Sequence, residues 1–263
     1  MSVMGAKNHL LEVSKGNVPG QSVWGGIGER ESMGTTAQGE DIWRGNEIAP
    51  APTSDTSIPI PDSAGEQMSV ISEHANDTLL GVGVRKVRIH YLDANGDAQT
   101  EDVEMNGTTA VDLVAANVRF VNDMYAIEVG SNGVAKGHIK IWKKADHGLV
   151  YNMIGLGGNK SLVPNKMVPR GHHFVLTTWH AEEAQGKRCA VRIRSTDMND
   201  TLIPGVFCFK DVAYLNKSTM SRDASGLGVC IPSLSIIKVS GWPDAAGAEC
   251  SCGFNGILYA EGK

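Results

Sequence analysis

The sequence predicts an all-β protein: an antiparallel β-sandwich or jelly roll over residues 66–263, preceded by a long extended N-terminal arm over residues 1–65. Three observations carry this expectation. From about residue 67 onward the apolar residues fall in short runs with a two-residue period, the mark of strands with one buried face. Turn-forming residues separate those runs, and 31 glycines in 263 residues exceed the ordinary share of about 7%. Helical periodicity shows only in TTAVDLVAAN at 108–117, so the regular helix–strand alternation of a nucleotide-binding α/β fold is not there.

The first 65 residues read differently from the rest. GNVPGQ, WGGIGERESMGTTAQGED and APAPTSDTSIPIPD hold too few apolar side chains to offset the entropy of ordering them alone. The segment reads either as a flexible tail or as an arm that becomes ordered on a partner surface, with Trp24, Ile42 and Trp43 as its anchors. RKVRIHYLD (85–93) then places Val87, Ile89 and Tyr91 on one strand face and Lys86, Arg88 and His90 on the other. Asn95-Gly96 supplies the positive φ angles of a tight hairpin turn, and AQTEDVEM returns as the second strand. Further strand runs are FVNDMYAIEV (120–129), GHIKIWKK (137–144), HFVLTTWHA (173–181), RCAVRIRS (188–195), GVFCFKDVAYL (205–215), LSIIKVSGW (234–242) and CSCGFNGILYA (250–260).

Residues 168–183, VPRGHHFVLTTWHAEE, gather three histidines and two glutamates and invite a test for a metal or catalytic centre. On a strand, His172 and His180 share one face roughly 26 Å apart and His173 points the other way, at about 3.3 Å per residue. On a helix the three lack the i,i+4 pair of a zinc site. They read as surface or half-buried strand histidines. Asp93, Asn95, Asp97, Gln99, Glu101 and Glu104 match calcium-loop spacing, but Ala98 stands where that loop needs glycine and the flanks are strands. GLGGNKS (155–161) ends like a phosphate-binding loop, yet Ile154 and Asn159 occupy the glycine positions and prolines follow where a helix must start. Cys250 and Cys252 lack a second ligand pair. The sequence therefore assigns no catalytic residue, no metal and no cofactor, and an enzyme in which these histidines converge is retained only as a separate class to test.

The formal net charge of −5, without a run of five Lys/Arg, argues against nucleic acid as a partner. No stretch of about 18 apolar residues points to a membrane, and MSVMGAKNHLLEVSKG lacks a signal-peptide core. The expectation is therefore synthesis and use without export. Cys189, Cys208, Cys230, Cys250 and Cys252 then read as buried free thiols, and the sequons at Asn76, Asn106, Asn159, Asn199 and Asn216, which would mean surface glycans only in a secreted protein, carry no meaning without a signal. Arg188, Arg192 and Arg194 alternate with Cys189, Val191 and Ile193, a basic ladder that is either a solvated face or a docking surface for an acidic neighbouring subunit.

The stretches VWGGIGERES, DIWRGNE, GNKSLVPNKMVP, RIRSTDM and AGAECSCGFNGILY resemble structural proteins of tailed-bacteriophage virions. That resemblance implies a non-enzymatic virion component assembled in the bacterial cytoplasm. It also implies a homotrimer that contacts the major capsid protein or other virion subunits. Within it, the leading expectation is a capsid cement or decoration protein whose N-terminal arm clasps neighbouring subunits. A tail, neck or fibre-adaptor protein is the alternative in the same class. Outside it stands a carbohydrate-binding sandwich using Trp142, Trp179 or Trp242 as stacking platforms.

Overall fold

A computed structural model describes residues 9–47, 57–198, 201–202 and 205–262; the expectations that fall on residues 1–8, 48–56 and Asn199 lie outside them. The protein is 54% strand and 5% helix, which makes it all-β, and its sheets are antiparallel. In chain order, a six-residue helix, α1 (His9–Ser14), precedes β1 (Gln21–Met33) and the short β2 (Glu40–Asp41). Next come β3 (Met68–Ser72), β4 (Val84–Asp93), β5 (Ala98–Glu104), β6 (Val111–Asp112), β7 (Val118–Val129), β8 (Ile139–Lys143) and β9 (Asp146–Ile154). They are followed by β10 (Lys166–Met167), β11 (His172–Glu183), β12 (Cys189–Ser195), β13 (Asp197–Met198), β14 (Thr201–Leu202) and β15 (Cys208–Leu215). The last four are β16 (Ser218–Asp223), β17 (Cys230–Ile231), β18 (Ile236–Pro243) and β19 (Ala248–Ala260).

These strands form two sandwiches. Sheets ordered β6-β3-β8-β9 and β5-β4-β7 enclose a first core that includes Val70, Ile89, Met124, Ile139 and Ile141. Sheets ordered β1-β19-β11-β16, with β17 on β11, and β10-β18-β12-β15, with β2 on β18, enclose a second core around Phe174, Leu176, Val191, Ile193, Val239 and Phe254. Each such side chain contributes about 1.5–3 kcal/mol by leaving water. The unit expected over 66–263 thus holds two sheet pairs, because alternation repeats alike in both and does not mark where one core stops. Small clusters join them: Leu92 and Phe120 meet Met167 and Ile236, and the Asn122 amide bonds both the carbonyl and the N–H of Met167 at 2.9 and 2.8 Å.

The β4–β5 hairpin forms where the sequence places it. Gly96 takes φ +85°, and the Asp93 carboxylate accepts the N–H groups of Asn95 and Asp97 at 2.9 and 3.1 Å. Those acidic residues therefore brace a turn, and Glu101 accepts the Val114 N–H at 2.7 Å. The helix expected over 108–117 is not formed: Val111–Asp112 is β6, paired to β3 through Ser69↔Asp112, and Leu113 is buried. Pairing with an exposed strand edge outweighs the weak helix propensity of so short a run.

The N-terminal segment is extended, as the sequence predicts, but it is extended along its own chain. β1 lies beside β19, paired without a break from Gln21↔Tyr259 to Arg30↔Cys250 and, after a bulge at Glu31–Ser32, again at Met33↔Ala248.

Candidate interaction surface

Trp24, Ile42 and Trp43 do anchor the N-terminal segment, though on this chain and not on a partner. Trp24 meets Phe174 edge-on at 5.1 Å. Ile42 is fully buried in the second core, and Trp43 is fully buried against Trp142, Val150, Met153 and Val163. Composition does not distinguish a strand that adds to its own sheet from one that adds to a neighbour's.

Asp41, between two of these anchors, fixes the segment by charge. Its carboxylate takes Lys238 at 3.0 Å, Arg194 at 3.3 Å and the Ser240 hydroxyl at 2.5 Å. It also accepts the Ile58 N–H at 2.9 Å. Burial alone pushes the Asp41 pKa up, but Lys238, Ser240, Arg194 and the Ile58 amide together hold it below the usual aspartate value. Lys238 and Arg194 show the converse: burial lowers both, partly offset by Asp41. Nearby, Arg30 and Glu40 pair at 2.9 Å, both buried.

The arginine ladder lies on the outer face of the β15-β12-β18 sheet, where the register sets three rows. Ala190 stands between Tyr214 and Trp242, Arg192 between Val212 and Ser240, and Arg194 between Phe209 and Lys238. Arg194 finds its acidic partner in Asp41 of the same chain, so it is neither solvated nor free for a neighbouring subunit. The Arg192 guanidinium sits 4.3 Å from the Trp242 ring and 4.5 Å from that of Phe209. Arg188 is exposed and borders an open groove with Ala190, Tyr214 and Trp242. Tyr214 is 80% exposed and Phe209 58%. Trp, Tyr and Arg are the residues enriched at binding hot spots, where flat rings and a planar guanidinium supply contact area at low entropic cost.

Sequence reasoning missed Phe209 and Tyr214 as surface groups. Strict alternation puts Phe209 with Ala213 and Leu215, which are buried. The β12–β15 ladder, however, steps from Ile193↔Asp211 to Arg194↔Phe209, a bulge that turns Phe209 outward. A second bulge corrects the histidine strand. The β11–β19 ladder steps from Leu176↔Gly256 to Thr178↔Asn255, so Trp179 and Ala181 join Phe174 and Leu176 inside, and His180 leaves the face expected for it. His172 bonds the Arg170 carbonyl at 2.9 Å, His173 stacks on Tyr259 at 5.3 Å, and His180 lies against Gly253. Among the described residues no three His, Cys, Asp or Glu side chains are grouped to hold a metal, and no helix is long and apolar enough to cross a membrane.

Of the three tryptophans considered as sugar platforms, Trp142 and Trp179 are buried and Trp242 is half-buried. Trp179 is 1% exposed and donates to Asp211 at 2.9 Å. Trp142 stacks on His147 at 4.0 Å. Trp242 has Arg192 over its ring and Gly39 against it, where a Cβ would stand 2.4 Å from Cε2 and where φ is +73°.

No family model matches the chain, and no curated protein matches it. A solved structure of infectious bursal disease virus, Gt strain, is similar at 10% identity over 93% of this chain and 79% of that one, with a TM-score of 0.12; at that score it carries no argument about fold or function.

Proposed function

We propose that the chain is a non-enzymatic structural subunit of a tailed-phage particle, which works by docking onto copies of itself and onto other virion subunits. The observation that carries the reading is the outer face of β12, β15 and β18, where Arg192 stacks on the exposed Phe209 ring and the half-buried Trp242 ring and exposed Tyr214 borders the same groove as Trp242. Large exposed rings beside an arginine that stacks on them suit burial by another protein. The sequence resemblance favours a virion as the setting, with a trimeric capsid cement or decoration protein as the leading position and a tail, neck or fibre adaptor as the alternative. Residues 21–47 pack on their own chain, so docking by this face replaces the arm as the route by which the subunit clasps its neighbours. The carbohydrate reading has less support, because Trp142 and Trp179 are buried and Trp242 carries Arg192 over its ring.

Quantitative mass spectrometry of purified virions tests the reading. A copy number comparable with that of the major capsid protein supports cement, and a handful of copies supports neck, tail or fibre. Absence from the particle refutes the virion role.

A further inference from the structure

Cys189 on β12 and Cys250 on β19 belong to opposite sheets of the second sandwich, and their sulfurs approach to 3.7 Å across its core. Both are free and buried, at 2% and 1% exposure. We propose that this pair is an oxidation site: a hydroperoxide converts the two thiols into a disulfide that staples the two sheets together.

The geometry assigns the roles. The Cys250 thiol donates to the Cys189 sulfur, which also receives the backbone N–H of Trp242, so negative charge is better held on Cys189. Contact with Cys189, reinforced by burial, pushes the Cys250 thiol up. Cys189 opens β12 at the sheet end that borders the groove of Arg188, Tyr214 and Trp242, while its sulfur lies in the core with Met33, so a small oxidant reaches it through local opening of that end. The Cys189 thiolate attacks one oxygen of hydrogen peroxide, the O–O bond breaks, and hydroxide leaves. Cys189 is then a sulfenic acid, oxidised by two electrons. The Cys250 sulfur attacks the Cys189 sulfur, the S–OH bond breaks, and the hydroxyl leaves as water with the Cys250 proton. Two thiols and one peroxide thus become one disulfide and two waters. Cys252, also buried, stands outside this pair and stays reduced.

The chemistry does not depend on the virion reading; only its timing does. In a particle assembled in a reducing cytoplasm the bond would form after lysis, locking the sandwich in the finished virion.

The test treats the purified, fully reduced chain with hydrogen peroxide and maps its cysteines by alkylation and peptide mass spectrometry. The expected result is a Cys189–Cys250 peptide lighter by two hydrogens, Cys252 still alkylatable after denaturation, and a melting temperature raised by about 5 °C or more and restored by dithiothreitol. Cys189→Ser and Cys250→Ser should each lose that rise and Cys252→Ser should keep it. Should either of the first two fail to fold, the wild-type peptide map decides alone. Oxidation confined to Cys208 or Cys230, or a bridge through Cys252, overturns the proposal. In virions alkylated at lysis and again after storage in air, a bridge that appears only later supports the timing, and a bridge that never appears overturns the timing alone. A chain absent from virions counts against the virion role and leaves the disulfide standing.

Discussion

Replacing Asp41 by asparagine removes one negative charge from between two cations that have little water to turn to. Lys238 and Arg194 have 7% and 13% of their side chains exposed, and both reach the Asp41 carboxylate within 3.3 Å. The side-chain amide of the D41N variant preserves the shape and can still accept from Ser240 or Ile58, so packing is little changed and the effect isolates the charge. Breaking a buried pair in this way costs about 3–5 kcal/mol. For a chain of this size each kcal/mol moves the melting temperature by about 2–4 °C, so D41N should melt roughly 6–20 °C lower. Thermal unfolding followed by tryptophan fluorescence measures this, and limited proteolysis should release the segment before β3 faster than in the native chain. Adding Lys238→Met to D41N, which removes the stranded ammonium while keeping the stem, should recover a good part of the loss. A melting point within about 1 °C of the native value would refute the claim that this carboxylate fixes the N-terminal segment.

Three further outcomes are expected. Asp41, Asp123 and Glu66 all lie below their ordinary values: burial opposes ionisation in each, but Lys238, Ser240 and Arg194, then Lys166 and Lys160, then Lys143 and Tyr151 outweigh it. Their contribution is in full above the unfolded values of about 3.9 and 4.3 and is lost as pH falls through the lower folded values; melting temperature should be level from pH 7 to 5 and drop below 4, and a rise there would contradict the assignment. Phe254→Ala, at a fully buried ring packed on Phe174, should cost about 3–5 kcal/mol in urea titrations. Phe209→Ser combined with Tyr214→Ser should leave that titration almost unmoved yet sharply reduce incorporation into particles; unchanged incorporation would remove this face as the docking surface.

The strands of this protein were largely legible because each run pairs a two-residue period with a turn signal, most plainly at Asn95-Gly96 between β4 and β5. Legibility failed where pairing, not pattern, makes the strand. β1 carries Gly25, Gly26 and Gly28 among charged residues, and it is a strand because β19 offers an edge. Bulges account for the other errors. One extra residue in β11 and one in β15 exchange inside for outside, so Trp179 turns inward and Phe209 outward, although the residues around them alternate without a break. The arginine ladder was visible, but its acid, Asp41, pairs with Arg194 from 153 positions away, and no local window joins them.

The pairing of β1 with β19 also fixes an order of events during synthesis. A ribosome adds roughly 5–20 residues per second, so β1 waits on the order of ten seconds or more after emerging before its partner is made. The first sandwich, with strands lying between Met68 and Ile154, has its partners in hand well before that, and the second closes only once β19 is free. Through the interval β1 is a solitary strand at risk of pairing with another nascent copy. Its three glycines and the Glu29-Arg30-Glu31 run offer a mistaken partner little apolar surface, and Arg30 finds its acid in Glu40 of its own chain, which makes such a pairing weak.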